Sequence, residues 1–410
     1  MLVRRLCLIF ILILSSSLFA QKPVKDLKPT LILISLDGFR ADYLDKYKPK
    51  TLLELASSGV RAKWLTPVFP TKTFTNHYSI ATGLYPENHG IIENNIYDFG
   101  VVFSLSNREE VQNSRWWLGE PIWVTAEKQG VRTAAFFFPG TEAEIKGKRP
   151  TFWKPYDASI PYEERVQTIL KWLDLPAQER PQLLILYFDE PDTSGHRCGP
   201  ESDCVADAIR RVDKQLGDLI DGLKERKIYK KVNLIIVSDH GMAEVQPKNL
   251  IFLDEYFDLK LAERILWTGE IIQIFPKDGQ KKTIIEKLSS IKNANCWEKE
   301  SIPDRFHYRA SHRIAPIICL ADEGWHMTSK ARYEQQKDRF SSGKSFGAHG
   351  YDNSLASMRA IFIANGKAFK TNKVVEPFNS IDIYNIMTKV LGITPAKNDG
   401  NPKILRKVLR

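Results

Sequence analysis

Four short stretches place acids and histidines at the ends of apolar runs. They are "SLDG" with Asp37, "YFDEPDTSGH" with Asp189, Asp192 and His196, "VSDHG" with Asp239 and His240, and "GAHGYDN" with His349. Carboxylate oxygen and imidazole nitrogen in combination suit zinc or a similar divalent cation. Each stretch also has a purely structural reading. Asp37 is placed to cap a helix, Asp192 and His196 to pair on a surface, Asp239 and His240 to flank a turn at Gly241, and His349 to sit in a solvated loop. Convergence of all four on one sheet edge would instead make a dinuclear metal site. Two cations about 4 Å apart suit phosphoryl transfer, because one activates the attacking oxygen and the other steadies the leaving oxygen.

A fifth stretch, "FPTKTFTNHYSIATG" from Phe69 to Gly83, puts hydroxyls, Lys72 and Phe74 where a helical pattern begins. A helix N-terminus presents unpaired N–H groups and the positive end of the macrodipole, so it favours an anion or a hydroxyl that must become one. Simple capping by Thr71 or Thr73 is the competing reading. Beside two metal ions, a threonine hydroxyl here would gain the activation it otherwise lacks as a nucleophile.

These residues need elements to hold them. "TLILISLDG", "VRTAAFFFPG", "PQLLILYFDEPD", "VNLIIVSDHG" and "MRAIFIANG" read as buried strands. They alternate with helical patterns, among them "KTLLELASSG", a long helix over about 202–227, and "SIDIYNIMTKVLG". Continuous apolar strands between helices predict an α/β three-layer sandwich with a central, largely parallel sheet. In such sheets ligand sites lie outside the carboxyl ends of the strands. The region from about Leu250 to Asp338 reads as irregular, adding a strand or two and long loops.

The 410 residues are 43% hydrophobic and 26% charged, the composition of a globular protein without a low-complexity tract or linker. The first residues, "MLVRRLCLIFILILSSSLFAQ", have the charged start and short apolar core of a secretory signal cleaved after Ala20, with a retained anchor as the alternative. The expected organisation is a signal peptide over 1–20 and one catalytic domain over 21–410, exported to the periplasm or secreted. Loss of residues 1–20 removes Arg4 and Arg5 and lowers the net charge from +10 to +8. The basic residues are scattered, with no aromatic-interleaved run suited to tracking nucleic acid. Four cysteines remain, and Cys198–Cys204 and Cys296–Cys319 are the pairings that close the smaller loops.

The motifs "LDGFR", "PTKTFTNHYSIATGLYPENHGIIENNIYD", "EPIWVTAEKQG", "PGTEAEI", "DEPDTSGH", "VSDHGM", "PDRFHYRASHRIAPII", "ADEGW" and "GAHGYDN" occur in this order from about Thr30 to beyond Tyr351. In them the chain resembles the nucleotide pyrophosphatase/phosphodiesterase family of the alkaline phosphatase superfamily. The resemblance implies an alkaline-phosphatase-like fold and two zinc ions. Thr73 would be the nucleophile and share one zinc with Asp37, Asp239 and His240. Asp192, His196 and His349 would hold the other. Asn94 would donate to a nonbridging phosphate oxygen beside the Thr73 backbone N–H. Asp189 would support its loop, and His77, His89, His307, His312 and His326 would be structural. The implied reaction passes through a covalent phosphothreonine diester and releases nucleoside 5′-monophosphates.

Phe74 resembles the family's base-stacking position, and Trp153 in "KRPTFWKPY" reads as its partner on the other face of the base. Leu105 would line the same pocket, and Lys72 would meet phosphate. Where nucleotide-cleaving relatives often have a lysine after the Asn94 position, this chain has Asn95. The expected partners are small nucleotides: nucleoside triphosphates, dinucleotides and nucleotide sugars. Two alternatives stand beside this. One is a phospholipid or choline head-group phosphodiesterase using the same site, with Glu142 as the one candidate carboxylate for a quaternary ammonium. The other is an exported binding module on an inactivated enzyme fold.

Overall fold

The computed structural model describes residues 23–341 and 343–410, and the expected signal segment lies outside the described residues. Eight strands build the central sheet: β1 (Thr30–Leu36), β2 (Val60–Ala62), β3 (Thr133–Phe136), β4 (Phe152–Trp153), β5 (Leu183–Phe188), β6 (Val232–Val237), β7 (Phe362–Asn365) and β8 (Lys373–Val375). Their order across the sheet is β8-β2-β7-β6-β1-β5-β3-β4. The run from β6 through β1, β5 and β3 to β4 is parallel, while β7 is antiparallel to both β6 and β2.

Every residue of "TLILISL" in β1 is buried, and the alternation explains why. Leu31 and Leu33 join one apolar core, with Tyr78, Ile80, Trp123 and Ile386 from helices Thr73–Thr82, Ile122–Lys128 and Ile383–Leu391. Ile32 and Ile34 join a second core on the opposite face, with Leu52, Val166, Leu170 and Leu216 from helices Lys50–Ser58, Tyr162–Leu173 and Asp203–Glu225. A strand clamped between two helical layers must be apolar at successive positions, and that is the expected three-layer sandwich. The long helix begins with Ser202 Oγ accepting from the backbone N–H of Val205.

β1 lies between β5 and β6, so the carboxyl ends of these three strands are neighbours. Asp37 follows β1 directly, Asp189 and Asp192 follow β5, and Asp239 and His240 come just after β6. His349 arrives from the other direction, after the short strand Phe346–Ala348, which pairs antiparallel with Ala243–Val245.

The region expected to be irregular is more ordered than the sequence reading had it. Ala262–Trp267, Ile271–Pro276, Ile317–Ala321 and Ala294–Glu298 form a four-stranded antiparallel sheet over a third apolar core. Its first strand carries a register shift between Ala262 and Arg264, which breaks the period-2 signal that marks a strand in sequence. Cys296 stands directly opposite Cys319 across this sheet, and the two are joined. The other expected disulfide, Cys198–Cys204, ties the end of helix Asp192–Cys198 to the start of the long helix.

Candidate active site

Thr73 is the first residue of a ten-residue helix that ends at Gly83 in the left-handed conformation. Eight of the helix's residues are buried, Thr75 to Thr82, so its start is fixed by the core around it. The Thr73 hydroxyl lies 3.2 Å from Nε2 of His240. That nitrogen is in turn 2.9 Å from Asp239 Oδ2 and 3.5 Å from Asp37 Oδ1. On the other side, Asp192 Oδ1 is 3.4 Å from His196 Nε2 and 3.5 Å from His349 Nε2. The His240 and His349 rings stack at 3.6 Å and join the two halves. All of the metal ligands expected from sequence therefore meet in one cluster.

The hydrogen bonds around the three imidazoles reveal what the cluster is built to do. His240 Nδ1 donates to the Gly241 carbonyl at 2.8 Å, His196 Nδ1 to the Gly347 carbonyl at 2.8 Å and His349 Nδ1 to the Thr71 carbonyl at 2.7 Å. A carbonyl can only accept, so each Nδ1 carries a proton and each Nε2 is the atom turned inward. Such backbone anchoring is what orients metal-ligating histidines. The inward atoms leave a demand for positive charge. The Nε2 atoms of His196 and His349 face each other at 3.1 Å, and Asp37 Oδ1, Asp192 Oδ1 and Asp239 Oδ2 are buried without accepting a hydrogen bond. Divalent cations fit this donor set, since buried lone pairs in such proximity otherwise stay uncompensated.

Electrostatics point the same way. Burial pushes the Asp37 carboxyl well above its ordinary range, and the nearby Asp239 and Asp192 push it further. For Asp239 burial is outweighed by His240 and His77, which hold it well below. Burial, with His240 and His196 beside it, keeps His349 neutral. Donor atoms of Asp192, His240 and His349 lie within 4.8 Å of one another, as do those of Asp37, His77 and Asp239. His77 is the unexpected member of that second group. Both of its ring nitrogens are already engaged, Nε2 with Ser35 Oγ and Nδ1 with the Thr73 carbonyl, each at 2.8 Å. It holds the Thr73 backbone, and its Nδ1 also stands 3.3 Å from Asp239 Oδ2. Tyr187 donates to Asp37 Oδ2 at 2.6 Å, a role nothing in the sequence indicated.

Asn94 accepts the Phe74 backbone N–H at 2.9 Å, which identifies its oxygen and leaves its amide N–H groups free to donate. Two cavities flank the cluster, both touching Leu105 and Thr193. The smaller, about 220 Å³, is lined by Asp37, Thr73, Phe74, Leu105 and Tyr156, with Arg108 and Glu142 further along. The larger, about 580 Å³, is lined by Lys72, Glu93, Asn94, Glu270, His196 and His349 among others.

Two expectations need correction. Trp153 lines neither cavity. It ends β4 at the sheet edge, paired in register with Ala135, with the Arg149 guanidinium over its ring. Within the same "KRPTFWKPY" stretch it is Tyr156, three residues on, that shares the smaller cavity with Phe74, where Phe138 and Tyr187 are the other aromatics. Ring type alone could not choose between them. The short strand could have, because pairing with β3 fixes Trp153 in the sheet and leaves the residues after it free to turn toward the site. Lys72 does not present a free cation. Its ammonium is buried and donates to Glu270 Oε2 at 2.6 Å, to the His349 carbonyl at 2.8 Å and to the Thr268 carbonyl at 3.4 Å. Glu270 is held ionised, down to about 2, because Lys72 and His326 outweigh its burial.

The family model for type I phosphodiesterase / nucleotide pyrophosphatase matches residues 31–352. A venom phosphodiesterase of Crotalus durissus collilineatus is 40% identical over 410 residues, covering 97% of this chain and 48% of its own length. Human ectonucleotide pyrophosphatase/phosphodiesterase family member 1 is 40% identical over 397 residues, covering 93% of this chain and 42% of its own. The chain thus spans about half the length of the curated relatives it matches. Among solved structures, murine ectonucleotide pyrophosphatase/phosphodiesterase 5 superposes with a TM-score of 0.86 at 36% identity, over 93% of this chain and 100% of that one. An inactive threonine-to-alanine form of that murine protein in complex with AMP matches equally well, at 35% identity.

Proposed function

Since the chain belongs to the type I phosphodiesterase / nucleotide pyrophosphatase family, we propose that it hydrolyses nucleotide phosphodiester and pyrophosphate bonds and releases nucleoside 5′-monophosphates. The observation that carries this reading is the single cluster of Thr73, Asp37, Asp192, His196, Asp239, His240 and His349 at the carboxyl ends of β1, β5 and β6. Asp37, Thr73, Asp239 and His240 would hold one zinc ion, and Asp192, His196 and His349 the other. When bound, the pair supplies the Lewis acidity that acidifies the attacking hydroxyl and offsets charge on the phosphate.

The chain's own part follows from its geometry. The helix start presents Thr73 Oγ to phosphorus, and attack from one side expels the leaving oxygen from the other. The nucleotide is then esterified to Thr73 as a phosphodiester until water displaces the threonine oxygen. Asn94, fixed through the Phe74 N–H, donates to a nonbridging oxygen as negative charge builds there. One such donor contributes roughly 3 kcal/mol to a transition state. The nucleobase lies between Phe74 and Tyr156, while Leu105, 40% exposed, covers the pocket's edge.

A choline head group fits less well. Glu142, the carboxylate it would need, is already taken by the Arg108 guanidinium, by Gln112 Nε2 at 3.3 Å and by the Tyr156 backbone N–H at 3.1 Å. A carboxylate so neutralised has little left for a quaternary ammonium. The enzyme is read as an exported one with a single catalytic domain over 21–410; among the described residues no helix is long and apolar enough to cross a membrane.

Stacking on an aromatic contributes about 1–3 kcal/mol per base. Phe74→Ala and Tyr156→Ala are therefore each expected to lower kcat/KM for p-nitrophenyl thymidine 5′-monophosphate by about 10- to 100-fold. Trp153→Ala should leave kcat/KM within about twofold. Steady-state kinetics of the three variants checks this, and a large loss confined to Trp153→Ala would refute the pocket as described.

A further inference from the structure

We infer that a third cleft, about 380 Å³ and beside Gly241, binds a phosphate group at a site separate from the two cavities around the nucleophile. It is lined by Arg40, Asp42, Lys63, Trp64, Ser357 and Arg359 among others, and it shares no residue with either cavity. Its walls are the chain leaving β1, the two residues after β2, and the turn Ala356–Met358 with the residue that follows it toward β7.

Every charge on these walls is answered except one. Arg40 is spent on Asp42 at 2.6 and 2.8 Å, on Glu201, and on the Met242 carbonyl at 3.1 Å. Asp45 pairs with Arg61 at 3.0 Å and Lys63 with Glu376 at 2.7 Å. Arg359 has no carboxylate partner among the described residues, and its guanidinium donates no hydrogen bond to them. Its contact is the ring of Trp64, which it covers at 3.9 Å. A guanidinium held against an indole keeps its N–H groups at the edge, in a fixed plane. That edge suits two oxygens of one phosphate.

Two more donors on the walls lack acceptors. Ser357 Oγ is buried with no hydrogen-bond partner, and the Trp64 indole N–H has none among the described residues. Leaving a buried hydroxyl unpaired is costly, and an acceptor oxygen removes that cost. A phosphate presents three strong acceptor oxygens, enough for the guanidinium, the hydroxyl and the indole together. The walls are also set in advance. The Gly241 N–H donates to the Met358 carbonyl at 3.0 Å, and the Ala41 N–H to the Arg359 carbonyl at 2.9 Å. A Cβ on Gly241 would stand 2.0 Å from the Ser357 carbonyl oxygen, so the turn is seated on bare backbone. A preformed site loses little binding energy to ordering, and this one has room for a small organic group beside the phosphate.

The test is fluorine NMR of the full chain labelled with 5-fluorotryptophan, which places a reporter on each of the nine tryptophans. Trp64→Phe assigns the resonance of Trp64. Inorganic phosphate is expected to shift that resonance saturably, with half the effect below about 5 mM. Arg359→Met keeps a stem over the indole without the charge and should weaken the response at least about tenfold, and Ser357→Ala at least about threefold. Both variants should melt within about 4 °C of the unaltered protein. Phosphate held beside Thr73 would be read instead at Trp117, 6.0 Å from Phe74, and would survive Arg359→Met. Glycerol 3-phosphate, titrated in parallel, separates the sources: clearly tighter binding identifies a phosphate ester as the occupant, and equal affinity identifies free phosphate. A Trp64 resonance unmoved by phosphate overturns the inference. So does an equal shift from sodium chloride at matched ionic strength, or a response undiminished in both folded variants.

Discussion

Thr73→Ala is expected to lower kcat by on the order of 10⁵-fold, the scale seen when a covalent nucleophile is removed from a preorganised site. The loss comes from chemistry, because the site around the methyl group is left standing. Residue 73 is anchored by its backbone, whose carbonyl accepts from His77 Nδ1, and by a helix buried from Thr75 to Thr82. The aromatic walls do not involve the hydroxyl. Nucleotide affinity should therefore survive within about tenfold, measured by AMP binding to the inactive variant. Rapid quenching of the unaltered protein during turnover should also yield a nucleotidyl adduct on the peptide containing Thr73, and none in the alanine variant. Substantial residual activity in Thr73→Ala would move the attacking atom elsewhere, to a water activated at the same cluster.

Removing divalent cations is expected to have the second large effect. Exhaustive chelation should reduce kcat/KM by at least about 10³-fold and lower the melting temperature, with both restored by added zinc. The stability change follows from the site's composition. Three carboxylate oxygens, from Asp37, Asp192 and Asp239, are buried with no hydrogen bond, and two imidazole Nε2 atoms face each other at 3.1 Å. Stripped of a cation, these groups repel, and folding must bear that cost. Calorimetry of loaded and stripped protein measures it. A melting temperature indifferent to chelation would mean that the cluster does not hold metal. His349→Ala separates the two effects, because it removes one proposed ligand while leaving Thr73 and Asn94 in place. It should weaken zinc retention during dialysis as well as turnover.

Much of this was legible in the sequence because its signals are local. The three strands that position the site, β1, β5 and β6, are runs of apolar residues leading into Asp or Asp-His, and burial on both faces leaves them little freedom to be anything else. Asp37, Asp192, Asp239 and His240 stand out because each lies within a few residues of such an end, while the division of the ligands between two metals, Thr73 included, is what the family resemblance implies. What could not be read was whatever depends on which distant group a side chain meets. Lys72 looks like a phosphate-binding lysine beside a nucleophile, yet its charge is decided by Glu270, 198 positions away. Trp153 and Tyr156 are equally plausible stacking residues until the edge strand claims the first. The small antiparallel sheet was missed because its first strand contains a register shift and because its pairing partners are spread over some sixty residues. Glu142 was read as a possible ammonium ligand only because Arg108, its partner, stands far from it in the chain.

The most direct test is the ratio of kcat/KM for p-nitrophenyl thymidine 5′-monophosphate to that for p-nitrophenyl phosphorylcholine, measured on the zinc-loaded protein. Both substrates release the same leaving group, so the ratio reports only how the site receives the half that stays on Thr73. The aromatic pocket and the spent carboxylate of Glu142 predict that the nucleotide ester wins by more than about a hundredfold, roughly 2.7 kcal/mol of transition-state preference. A higher value for phosphorylcholine, or no cleavage of either ester, would contradict the account.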